Sequence, residues 1–207
     1  MGPLEKNGAY AVRKVPVSLR MDTRLLTVAV FLASLCTFCY GGEAQEYKRT
    51  LETYDLPDVT LVNQDGAKVR LTALLNCGKP VLVDFIFTTC TTICPLLSMG
   101  FSNFSDKLGA EAERVQLVSI SVDPEHDTPP RMKAYLRRYK ARRGWDFLTG
   151  SRGDIDRVLK AFKAYSANKM NHLPLILIKS PSDSRWVRIY GLIGTRELLR
   201  EYQMVLP

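Results

Sequence analysis

An α/β fold with one mixed sheet covered by helices on both faces is what this sequence predicts, on three observations. Two nearly continuous apolar runs, residues 81–87 and 115–121, have the length and composition of strands buried on both sides. Segments with apolar residues at helical spacing separate and follow them. A late pair of short strands, 175–178 and 186–190, is joined by a turn at 180–184 and followed by a last helix. The 207 residues, 46% of them apolar, can bury a sizeable core without disulfides.

Taken in order, residues 45–55 form a polar lead, and 59–62 and 69–71 form a hairpin turned at Asp65-Gly66. The strand at 81–87 is apolar except for Asp84. A helix opens at Pro95, whose missing N–H and fixed φ suit a first helical position. Leu97, Phe101, Phe104 and Leu108 make its inner face and Gly109 its stop. After the strand at 115–121, Asp127-Thr128-Pro129 caps a helix with Met132, Tyr135, Leu136 and Tyr139 inward. A short strand near 145–147 and a helix carrying Ile155, Val158, Leu159, Phe162 and Tyr165 come next. The closing strand pair leads to a helix capped by Thr195, with Leu198, Leu199 and Tyr202 inward. Parallel strands joined by helices, ending in an antiparallel hairpin and a helix, follow the order of a thioredoxin-like fold, to which the first hairpin is an addition. One domain, residues 45–207, accounts for all of it.

Residues 1–44 read as a leader. Residues 25–40 are almost wholly apolar or small, with Arg20 and Arg24 before them and Glu43 and Glu46 after. Nothing in this run alternates at helical spacing, which argues against a core helix. It falls short of the roughly 20 residues that span a bilayer, and Gly42 and Ala44 are spaced like a cleavage site. The leader is therefore a signal peptide cut after Ala44, or an N-terminal membrane anchor. Either reading exports the domain, to the periplasm or to the inner membrane facing it. That compartment is oxidising, so neighbouring thiols stay reduced only with a reductant or a metal.

The chain carries a net charge of +8. Its basic residues cluster in 131–143 and 185–200, interleaved with helix-spaced apolar positions, which describes solvated helix faces and not a nucleic-acid partner.

Chemistry concentrates at Cys90 and Cys94, where a buried strand hands over to a helix. Both sulfurs stand near the positive end of a helix dipole, which favours thiolate. Asp84, in the same strand, is costly to bury without a partner. Its spacing from the cysteines is similar to that of the buried aspartate of thioredoxins, which makes it a candidate proton acceptor for the pair. His172 is one of two histidines and lies just before a strand. Pro174 stands near the position of the thioredoxin cis-proline, so its peptide bond is a candidate cis bond. Cys77, between Asn76 and Gly78 in a loop, is a partly exposed unpaired thiol. A peroxidase is disfavoured, because Phe87 occupies the place of the proline that peroxiredoxins carry relative to Cys94.

With Cys-x-x-x-Cys-Pro after a buried strand, Ser-Val-Asp-Pro-Glu-His-Asp-Thr-Pro after the next and a late Asn-His before another, residues 50–205 resemble the Sco/SenC family of thioredoxin-like copper proteins. Where members read Thr-His-Cys-Pro-Asp-x-Cys-Pro, this chain reads Thr89-Cys90-Thr91-Thr92-Ile93-Cys94-Pro95, without the His, the first Pro and the Asp. The resemblance implies copper bound through Cys90, Cys94 and His172, and a role in assembling the dinuclear copper centre of cytochrome c oxidase. It also implies that Asp123 touches the site or a partner, whereas Asp127 is read as a helix cap. The implied partners are a copper-receiving oxidase subunit, or its metal-free cysteine pair, and a thiol reductant. Soft thiolates favour Cu(I), an imidazole adds affinity for Cu(II), and three ligands leave a position open for transfer; zinc suits the same donors. Two other readings stay open: an envelope thiol-disulfide reductase acting through Cys90 and Cys94 with help from Asp84, and a redox or copper sensor.

Overall fold

The computed structural model describes residues 47–206; the leader, with Cys36 and Cys39, lies outside the described residues. Eight strands form one sheet: β1 (Lys48–Glu52), β2 (Thr60–Asn63), β3 (Lys68–Arg70), β4 (Val81–Ile86), β5 (Gln116–Ser121), β6 (Trp145–Thr149), β7 (Leu175–Lys179) and β8 (Trp186–Tyr190). Their order across the sheet is β1-β8-β7-β4-β5-β6-β2-β3. Five helices accompany them: α1 (Leu71–Leu75), α2 (Ile93–Leu108), α3 (Pro129–Arg138), α4 (Arg152–Ala161) and α5 (Thr195–Val205). This is the mixed, thioredoxin-like sheet that the sequence predicts.

β4 lies at the centre, parallel to β5 and antiparallel to β7. All six of its residues are buried, which explains why its sequence is an unbroken apolar run around Asp84. Its two faces meet different layers. Phe85 packs edge-on against Phe162, just beyond α4, which also meets Tyr54 and Trp186. On the other face α2 lies against the sheet, with Phe101 on Trp145 and Phe104 on Tyr202 of α5. Ser98 of α2 and Tyr135 of α3 share a hydrogen bond of 2.9 Å, and Tyr135 also packs on Phe147. Each fully buried large apolar side chain contributes about 1.5–3 kcal/mol. The helices are thus bound firmly enough to hold the loops between them in place.

Several boundaries differ from the sequence expectation. The polar lead contains β1, an edge strand held by its pairing with β8. The expected hairpin is present, with Gly66 at φ 79° in its turn, and it extends the sheet beyond β6. α2 starts at Ile93, two residues before Pro95; the first four N–H groups of a helix have no partner within it, so Pro95 is tolerated there. Gly109 does end α2, at φ 59°. α4 stops at Ala161, which leaves Phe162 at its end and Tyr165 outside and exposed. Gly194, not Thr195, precedes the first turn of α5. No peptide bond among the described residues is cis, so Pro174 is trans. Among the described residues no helix is long and apolar enough to cross a membrane.

Candidate metal centre

The sheet register brings the candidate ligands to one end. Asp84 pairs with Ile176 in the antiparallel β4–β7 ladder, so the exit of β4 lies beside the entry of β7. Cys90 follows the first and His172 precedes the second.

Between β4 and α2 the chain turns tightly, with the Cys90 N–H donating to the Phe87 carbonyl at 3.2 Å. Thr92 precedes α2 without capping it through its side chain. Its hydroxyl lies 3.6 Å from the Cys90 sulfur. Cys94 is the second residue of the helix and is completely buried, whereas Cys90 keeps 7% of its surface. The two thiols differ accordingly. Burial opposes the Cys90 thiolate, but the N–H and thiol of Cys94 and the N–H and hydroxyl of Thr92 stabilise it, and its pKa is lowered. Burial pushes the Cys94 thiol up, and donation to Cys90 and the nearby charge of Asp84 add to that.

His172 is 8% exposed and ends the 3-10 turn Lys169–Asn171. Its Nδ1 lies 2.7 Å from the Lys169 carbonyl. A carbonyl can only accept, so Nδ1 carries the proton, and in the neutral ring Nε2 then presents its lone pair. Nε2 lies 3.5 Å from Cys94 Sγ. Burial lowers the imidazole pKa, against the raising effect of the Lys169 carbonyl, and so favours the neutral ring.

Asp84 is fully buried with neither carboxylate oxygen in a normal hydrogen bond. Ser119, its register neighbour on β5, takes the Trp145 Nε1–H at 3.0 Å. Trp145 packs on Phe101 of α2, so Asp84 faces the same side as that helix. Burial drives the Asp84 pKa up to about 7, only partly opposed by the Ser119 hydroxyl and its own backbone.

Asp123 and Asp127 are both buried in the loop after β5. Asp123 bonds to Lys169 at 2.5 Å and to His126 at 3.0 Å, and to neither thiol. Asp127 is not the cap of α3, which begins after Thr128 with no side-chain cap bond. Its carboxylate instead accepts from Thr88 and Ser121. Cys77 is exposed and unpaired. Leu96 and Met99 on α2, and Met170 and Leu173 beside His172, are large apolar side chains left exposed. Among the described residues no three His, Cys, Asp or Glu side chains already stand as a ligand group. Sequence reasoning did not single out Thr88, Ser121 or Lys169. The Lys three positions before a candidate ligand was their only local signal.

A thioredoxin-like sheet whose central strand leads through a cysteine pair into a helix, with a histidine beside the inner thiol, places the chain among thioredoxin-fold proteins. The chain belongs to the SCO1/SenC family, whose family model matches residues 49–180. It is 41% identical over 142 residues to the SCO1 protein homolog of Bacillus subtilis, covering 67% of this chain and 70% of that relative. The structure of BsSco, a member of the Sco family of cytochrome c oxidase assembly proteins in which a disulfide switch has been identified, matches with a TM-score of 0.62 and 32% identity. That match covers 75% of this chain and 95% of BsSco. Copper-bound ScoI of Bradyrhizobium japonicum matches with a TM-score of 0.60 and 28% identity, over 75% of this chain and 98% of ScoI.

Proposed function

We propose that this chain is an exported copper chaperone that carries copper on Cys90, Cys94 and His172 and passes it to the copper centre of cytochrome c oxidase. The observation that carries the reading is the Nε2 lone pair of His172 facing Cys94 Sγ at 3.5 Å, with Nδ1 committed to a backbone carbonyl. Donors about 2.3 Å (sulfur) and about 2.0 Å (nitrogen) from one tetrahedral ion stand about 3.5 Å apart. Two donors therefore already have the separation that a shared ion requires, and Cys90 completes a soft set with an open position. Copper bound to the related ScoI and the assembly role of BsSco's family support the choice of cargo and destination. Export rests on the leader, with the apolar run either removed or retained as an anchor. The exposed Leu96 and Met99 on the helix that carries Cys94, and Met170 and Leu173 beside His172 in sequence, are apolar contacts offered to a receiving subunit.

Titration of Cu(I) without oxygen into the reduced full-length protein, against a competing chelator, tests this. Tight one-to-one binding should weaken in His172→Ala and vanish in Cys90→Ser/Cys94→Ser. Binding no tighter than that of the cysteine-free variant would end the chaperone reading.

A second activity is favoured by the split between the two thiols. As a disulfide reductase, the Cys90 thiolate attacks one sulfur of a partner disulfide and expels the other as thiolate. Cys94 gives its proton to Asp84 and attacks Cys90, releasing the second partner thiol. Two electrons leave the cysteine pair, which ends as a disulfide, and an external thiol reductant restores it. Asp84→Asn should slow this reduction and change its pH profile; identical kinetics across pH would remove Asp84 from the step.

A further inference from the structure

Asp123 is buried, and buried aspartates are seldom found without partners. Its carboxylate takes Lys169 Nζ on Oδ2 at 2.5 Å and His126 Nδ1 on Oδ1 at 3.0 Å. Its backbone is equally committed: the N–H donates to the Ser121 hydroxyl at 3.0 Å, and the carbonyl accepts from the N–H groups of His126 and Asp127. Asp123 is therefore a fixed point at the end of β5.

Lys169 connects that fixed point to His172. Its carbonyl accepts both the His172 ring Nδ1–H at 2.7 Å and the His172 backbone N–H at 3.3 Å. Its ammonium lies 5.4 Å from the centre of the Phe87 ring, which packs edge-on against His172. The remaining hydrogen bonds of the turn, from Met170 N–H to the Asn168 side chain and from Asn171 N–H to the Asn168 carbonyl, are internal to it. Among the described residues, Lys169–Asp123 is the hydrogen bond that ties residues 169–171 to a distant part of the chain.

We propose that Asp123 and Lys169 are positioning residues for the metal centre: their ion pair clasps the 3-10 turn to the end of β5 and so sets where His172 Nε2 meets Cys94. The inference rests on His172 being a ligand, and it adds two residues that touch no metal. The clasp fixes the tautomer as well as the position, because the carbonyl that holds Nδ1–H belongs to the residue whose side chain is anchored.

The test is made on the full chain. In the metal-free wild type, 15N NMR of the imidazole should report a single Nδ1–H tautomer, the His172 signals being those lost in His172→Ala. Lys169→Met and Asp123→Asn, checked as folded by circular dichroism, should mix the tautomers, and Lys169→Arg should restore the single one. In the same variants Cu(II) affinity should fall roughly tenfold or more, with altered nitrogen couplings in the EPR spectrum, while Cu(I) held by the thiolates changes less. Retention of the single tautomer in both folded variants would overturn the proposal. A wild type that binds no copper would sink the chaperone reading, and the tautomer measurement would still decide the clasp.

Discussion

Asp127 holds Thr88 from 39 positions away, accepting its backbone N–H at 3.0 Å and its hydroxyl at 2.6 Å on Oδ1. The other oxygen takes the Ser121 hydroxyl at 2.6 Å. One buried carboxylate thus fixes the exit of β4, two residues before Cys90, to the exit of β5. Removing it leaves an N–H and two hydroxyls without their acceptor, each costing about 1–3 kcal/mol when buried. Asp127→Ala should lower unfolding free energy by roughly 2–4 kcal/mol in urea titrations, and Asp127→Asn by less. A midpoint equal to that of the wild type would show that the three bonds contribute nothing net.

Asp84 makes stability depend on pH in a definite direction. Its folded pKa is raised to about 7 from an ordinary carboxylate value of 3.8, so the folded state binds more protons than the unfolded state between those values. Stability contributed at low pH is lost as pH rises toward 7. The total is on the order of 4 kcal/mol at most. The lowered pKa of His172 acts in the opposite sense, so the informative quantity is the difference between wild type and Asp84→Asn. That difference should shift in favour of the variant between pH 5 and pH 8. A constant difference would mean that folded Asp84 is ionised throughout that range.

The thiols should react in sequence. Cys90 is buried but keeps 7% of its surface and has a lowered pKa, whereas Cys94 is fully buried with a raised one. Limited iodoacetamide labelling of the reduced protein, mapped by mass spectrometry, should therefore modify Cys90 roughly tenfold or more faster than Cys94. Exposed Cys77 gives the internal reference. Equal rates at Cys90 and Cys94 would contradict the division into attacking and resolving sulfur.

Arg188 is the largest fully buried side chain, in β8. It donates to the Phe162 carbonyl at 2.5 Å, the Lys163 carbonyl at 3.0 Å and the Tyr54 hydroxyl at 2.9 Å, and also to the Tyr190 hydroxyl. The two carbonyls lie just past the end of α4, so Arg188 ties that helix end to β8. Arg188→Met should cost about 3 kcal/mol or more, because it orphans two carbonyls at once. Thermal melting at fixed pH checks this, and a loss below about 1 kcal/mol would mean that solvent replaces the bonds.

What the sequence disclosed follows from how far each signal reaches. The runs that became β4 and β5 are legible because burial on both faces writes itself locally as apolar residues. β1, reading Lys-Arg-Thr-Leu-Glu, has no such pattern; it is a strand because β8 offers it an edge. The five residues of α1 are too few to show a helical period. Asp127 misled because Asp-Thr-Pro is a local cap signal, while the actual partner lies across the fold. Cys90 and His172 do stand at strand ends, as their sequence setting predicts. The Asp123–Lys169 pair spans 46 positions and could be found only once β5 and the turn before β7 were in place.

Cys94 and His172 are 78 residues apart, and only the pairing of β4 with β7 brings them together. An unfolded chain keeps the two thiols close in sequence but has no imidazole within reach. Whatever affinity the histidine adds is available to the native state alone, and by mass action that increment is returned as resistance to unfolding. On the proposed ligand set, metal loading would therefore favour the native sheet over misfolded ones. On that same proposed ligand set, a chain with β4 and β7 misregistered would be left with sulfur ligands only, and so with a weaker hold on copper.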